Sequence, residues 1–141
     1  MLSRTGLHAV KALTALAGLA PDDYLGAATL AERIHAPRNY LGKLLQQLSR
    51  DGLVVSQKGQ GGGFRLARAA ESLTLYDVID PIEHVARWSG CFLGGLTCSH
   101  EAPCAVHAAW EKTRAAYLDF LRSTRLSDLV HHPFPQSAGK H

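Results

Sequence analysis

Cysteine is missing from the first 90 residues of this 141-residue chain and from everything beyond residue 104. With all three cysteines inside one short stretch, a disulfide framework spanning the molecule is excluded. No Cys-x-x-Cys pair occurs, and no general base or substrate pocket is legible, which argues against a redox enzyme built on a reactive thiol. Long apolar runs are also lacking. Nothing approaches the ~18 uncharged apolar residues that a membrane helix needs. The opening stretch ends Ala-Leu-Ala-Gly-Leu-Ala, but His8 and Lys11 interrupt its apolar region, so it does not read as an export signal. A cytoplasmic protein with no membrane partner is expected. With 46% hydrophobic and 19% charged residues, the chain is globular rather than disordered. It shows no internal repeat.

The three cysteines that are present stand close together, and a histidine completes the group. Cys91, Cys98, Cys104 and His107 follow the spacing C-x6-C-x5-C-x2-H. Three thiolates and an imidazole suit zinc or an iron–sulfur cluster, and suit magnesium or calcium poorly. Gly94, Gly95 and Pro103 allow the loop to fold back. Cys104 and His107, three apart at the start of a helical pattern, would share one helix face. Two silent or simpler alternatives remain open at this point. One is a structural Cys3His zinc module of the nucleic-acid-binding kind. The other is a metal-free regulator whose thiols respond directly.

Charge is unevenly placed. Residues 1–66 carry eight Lys/Arg against four Asp/Glu, whereas residues 67–141 carry seven against eight. A basic front half suits a polyanion. Apolar periodicity predicts a helix over 3–20 with Ser3 as N-cap, a short extended link at 24–26, a helix over 27–35, and a third over 37–50. The third places Leu41, Leu44, Leu45 and Leu48 inward and stops at Asp51-Gly52. Two strands, 53–56 and 64–66, flank the basic glycine-rich segment Gln57–Gly63. This order is the outline of a winged helix-turn-helix. The glycine run is not a nucleotide loop, because it precedes a strand and lacks the final glycine of G-x-G-x-x-G.

On that outline, Arg38, Asn39, Tyr40, Lys43 and Gln46 are assigned to base or nearby phosphate contacts, with packing against the neighbouring helix as the alternative for Tyr40. Lys58 and Arg65 suit phosphates or the minor groove. A fourth helix is predicted from Leu73 through Ile79, ended or kinked by Pro81. A long helix follows from about Pro103 to Arg122, whose apolar stripe calls for a covering partner. Ser127 is expected to cap a last turn over 126–130, before a disordered tail.

These pieces resemble the Rrf-two family of bacterial winged-helix regulators, of the IscR and NsrR kind, over about residues 1–131. The residues that carry the resemblance are Gly52-Leu53-Val54, the run Lys58-Gly59-Gln60-Gly61-Gly62-Gly63-Phe64-Arg65-Leu66-Ala67-Arg68, the cysteine triplet, and Leu126-Ser127-Asp128-Leu129. The fold class implied is mainly α with a small β-wing: a winged helix-turn-helix plus a long C-terminal dimerisation helix. The DNA-binding domain would be 1–70, the cluster loop and dimerisation helix 71–131, and the tail 132–141. The resemblance further implies a homodimer paired through helix 103–122, bound to a partly palindromic double-stranded DNA operator. Each subunit would hold an iron–sulfur cluster on Cys91, Cys98 and Cys104, with His107 completing a 2Fe-2S site. The 4Fe-4S branch instead takes an aspartate from the partner's first helix. Leu7 and His8 stand nearest that position, so the acid is absent, with His8 the one alternative ligand there.

Overall fold

The computed structural model describes residues 2–87, 92–93 and 105–135. Helix α1, Arg4–Ala17, begins where the sequence predicts, because the Ser3 hydroxyl accepts from the Gly6 N–H at 2.9 Å. It stops earlier than expected, at Ala17, since the Gly18 N–H turns back to the carbonyls of Ala15 and Leu16. Helices α2, Ala27–Ile34, and α3, Arg38–Arg50, are separated by His35 in the left-handed conformation. Pro37 lies one residue before α3 rather than inside its first turn. Gly52, at φ 81°, then reverses the chain, a conformation that costs a side-chain-bearing residue more.

The wing is an antiparallel pair, β1 Val54–Gln57 and β2 Gly63–Leu66, with Val54 opposite Leu66 and Gln57 opposite Gly63. Leu25 adds a bridge to it that the link 24–26 only hinted at. Leu25 and Phe64 exchange both backbone hydrogen bonds, at 2.8 and 2.9 Å. Gly63, at φ 134°, lets the two backbones meet, since a Cβ there would collide with the Leu25 main chain.

Helix α4, Leu75–Glu83, departs from expectation at both ends. A capping box between Thr74 and Asp77 starts it two residues later than Leu73. It also runs through Pro81 to Glu83, giving up the one helical hydrogen bond that proline cannot donate. The long helix α5, His107–Ser123, begins at His107 rather than near Pro103, with a turn at 105–106 before it. Helix α6, Leu126–Leu129, is capped from Arg125, whose N–H is accepted by Asp128 at 2.8 Å, and not from Ser127. The tail expected to be disordered starts with packed residues: His132 N–H donates to Leu129, and Phe134 rests against the core.

One core unites all of this. Leu13, Leu30, Leu41, Leu45 and Leu48 from the first three helices are fully buried together with Leu73, Val78, Ile79, Leu121 and Leu126. Each such leucine contributes roughly 1.5–3 kcal/mol by leaving water. The backbone stitches the same halves: Leu75 N–H donates to Thr124 at 2.8 Å and Leu126 N–H to Leu73 at 2.9 Å.

Candidate nucleic-acid interface

Because Leu41, Leu44, Leu45 and Leu48 take the inward stripe of α3, its opposite side is left to solvent. Arg38, Asn39, Lys43 and Gln46 are all exposed there. Asn39, Lys43 and Gln46 follow at intervals of four and three, so they line one face. Beside this face stands the wing. A cleft of about 280 Å³ separates them, lined by Gln46, Ser49, Ser56, Gln57, Lys58 and Phe64 among others. Lys58 is exposed at the tip. Ser49, Ser56 and Gln57 went unassigned in the sequence. Ser49 could have been found as the residue three beyond Gln46, but the two wing residues become neighbours of α3 only through the hairpin register.

Two assigned residues turn elsewhere. Tyr40 is half-buried, and its hydroxyl lies 3.1 Å from His8 Nδ1 on α1, with the rings edge to face. The packing alternative for Tyr40 is therefore the arrangement seen. Burial, together with Lys11 and Arg4, holds His8 below its ordinary pKa of 6.5, so the neutral ring that can accept from the tyrosine is favoured. Arg65 reaches Asp22 at 3.3 Å and covers the Tyr24 ring at 5.2 Å. Asp22 is 94% exposed, and so open a pair is worth only ~0–1 kcal/mol, weak enough to be exchanged for a phosphate.

Cys91, Cys98 and Cys104 lie outside the described residues, and His107 is the member of the set whose surroundings are visible. It opens α5 and is only 7% exposed. Its Nε2 lies 3.2 Å from the Glu111 carboxylate one turn on. A carboxylate set beside an imidazole is the kind of outer contact that surrounds metal-binding histidines. The donor set thus fits a metal centre at this one tested position. Phe92, next to Cys91 in sequence, packs at 5.3 Å on Trp110 of α5.

Two helices crossing at a tight turn, an exposed amide- and cation-bearing second helix, and a basic hairpin beside it define a winged-helix DNA-binding regulator. The comparison with known proteins narrows the class. The family model for Rrf2, the iron-dependent transcriptional regulators, matches residues 2–132, and the chain belongs to that family, one of regulators rather than enzymes. It is 33% identical to the HTH-type transcriptional regulator IscR of Cereibacter sphaeroides over 92% of this chain and 86% of that one. Among solved structures it resembles CymR, the global cysteine regulator of B. subtilis, with a TM-score of 0.77, 25% identity, and 92% and 95% of the two chains covered. It also resembles T. potens IscR, with a TM-score of 0.74, 27% identity, and 92% and 85% covered. Among the described residues no helix is long and apolar enough to cross a membrane.

Proposed function

We propose that this regulator acts in the cytoplasm as a homodimer on a partly palindromic operator and reports iron–sulfur status, redox state or nitric oxide. Residues 1–70 would read DNA, while 71–131 would sense and pair. The observation that carries the sensing half is His107: a buried imidazole with a carboxylate 3.2 Å away, three residues beyond the last cysteine. Cys91, Cys98, Cys104 and His107 would hold the cluster, in the 2Fe-2S form by preference, with 4Fe-4S as the other form. When bound, such a cluster supplies a centre whose charge and ligation respond to electrons, oxygen and nitric oxide.

The chain's own contacts offer the route from that loop to DNA. Glu83, the last residue of α4, accepts from both the N–H and the hydroxyl of Ser3, each at 3.1 Å, and so ties the start of α1 to the segment that leads into the cysteines. From α1, His8 reaches Tyr40 on the recognition helix. Pairing is supported by α5, which buries only His107 and Leu121 within one chain. A dimer needs its two recognition helices about 34 Å apart, so a small change at α5 would alter the fit in both half-sites.

Within the interface, Arg38, Asn39, Lys43 and Gln46 would meet bases or phosphates, Lys58 would meet phosphate, and Arg65 would do so after leaving Asp22. Tyr40 would serve mainly by fixing α3 against α1. Similarity to the cysteine regulator CymR favours a second reading, in which the three thiols respond with no metal.

The deciding experiment is anaerobic purification followed by visible absorbance and iron and sulfide analysis, with operator binding compared between the wild type and Cys98→Ala. A brown protein whose operator affinity changes on Cys98→Ala is expected. A colourless protein, of bare-chain mass under native conditions, would transfer the function to the thiols. Equal affinity of the two proteins for every operator would overturn the sensing role.

A further inference from the structure

A second hollow lies away from the cleft between α3 and the wing. It encloses about 750 Å³ between α1, the end of α2 and the segment after α6. That volume falls within the ~300–1,000 Å³ of sites for small molecules. Lys11 comes to it from α1, Arg33 and His35 from the end of α2, and His132 from the C-terminal segment. No described residue lining it is acidic. Thr14 adds no donor, because its hydroxyl hydrogen is committed to the Val10 carbonyl at 2.7 Å.

The remaining walls are apolar. Ile34 is buried, and Phe134 packs against the core with the Lys11 ammonium 5.8 Å from its ring centroid. Two fixed cations with no acidic side chain among the described lining residues attract an anion. Ile34 and Phe134 offer an apolar surface that a bare inorganic anion would leave unused.

We propose that this groove binds a small amphipathic anion: an organic acid whose carboxylate meets Arg33 and Lys11 and whose aromatic or branched body lies along Phe134 and Ile34. None of its described lining residues belongs to the cysteine loop, and its failure would leave the sensing proposal untouched. Its position is also suggestive of purpose. His35, in the left-handed conformation at φ 57°, is the joint between α2 and α3, so an occupant touches the turn from which the recognition helix departs.

The test is calorimetric titration of the full chain with 1-naphthoate, with its uncharged analogue 1-naphthamide, and with inorganic phosphate. One naphthoate per chain is expected, bound about tenfold more tightly than either comparator, which is what one charge-assisted contact is worth. Arg33→Gln is expected to weaken naphthoate severalfold with an unchanged melting curve, since Arg33 is exposed and its loss leaves the core intact. Phe134→Ala should weaken it as well, whereas Lys112→Gln, on the exposed side of α5, should not. Equal binding of the acid and the amide, equal binding of phosphate, or an Arg33→Gln protein that still binds normally would each overturn the proposal. In the phosphate case the groove would be a plain phosphate contact, open to the DNA backbone.

Discussion

Helices α3 and α5 use their apolar residues in opposite ways. Over 13 residues α3 buries four leucines, while over 17 residues α5 buries only His107 and Leu121. The apolar stripe of α3 is consumed inside the chain, which fixes the helix and leaves its polar side outward. In α5 the ring of Phe120 stays 52% exposed, stacked beside Tyr117 at 6.4 Å. Under the proposed function the contrast separates two tasks: a reading helix is held rigidly by its own fold, whereas a pairing helix keeps apolar surface in reserve.

The strongest challenge to this contrast is a deletion in the reading helix. Leu45→Ala removes a fully buried side chain and is expected to cost about 2–5 kcal/mol of stability by denaturant titration. A loss under 1 kcal/mol would mean that α3 is not anchored as described. Next in size come the exposed residues of the same helix. Gln46→Ala should cost operator binding roughly 1–3 kcal/mol and relax specificity at one position if it meets a base edge. Lys43→Ala should lower the salt dependence of binding by about one counterion if it meets a phosphate. Both variants should melt like the wild type, and filter binding across a salt series separates the two roles.

On α5 the expected pattern is reversed. Phe120→Ala should change chain stability by no more than about 0.5 kcal/mol, yet should raise the dimer dissociation constant in sedimentation experiments. If it instead unfolds the chain as Leu45→Ala does, the two helices are alike and the comparison fails. The smallest effect concerns His8. Its folded pKa lies below 6.5, so the neutral ring stabilises the fold above that pH, and this contribution is lost as pH falls through the lower folded value. His8→Gln should therefore flatten the decline of stability below pH 6.5, measured by melting across a pH series. A steeper acid decline in the variant would refute the assignment.

Where sequence reading succeeded, the signal was local. The leucine period of α3, the Ser3 cap, the stop at Gly52 and the glycine-rich hairpin are all written within a turn or two of chain. The missed boundaries show the same limit from the other side. Pro81 reads as an end or a kink, and α4 continues past it to Glu83. Ser127 looked like a cap, but Arg125 pairs with Thr74 across the fold, and that pairing set the start of α6. The C-terminal segment reads as disordered from Pro133, Pro135 and Gly139, and only the tertiary structure shows Phe134 packed against the core.

The sequence alone determined the class of the molecule: helical and turn propensities act over a few residues, and the spacing of cysteines and glycines is fixed by covalent order. The tertiary structure decided which polar groups are already engaged. Asp22 claims Arg65 from 43 positions away, His8 meets Tyr40 across 32, and Glu83 holds Ser3 across 80. Each of these pairs exists only because burial of the shared leucine core brings distant backbone together, and no local pattern encodes a distance of that kind.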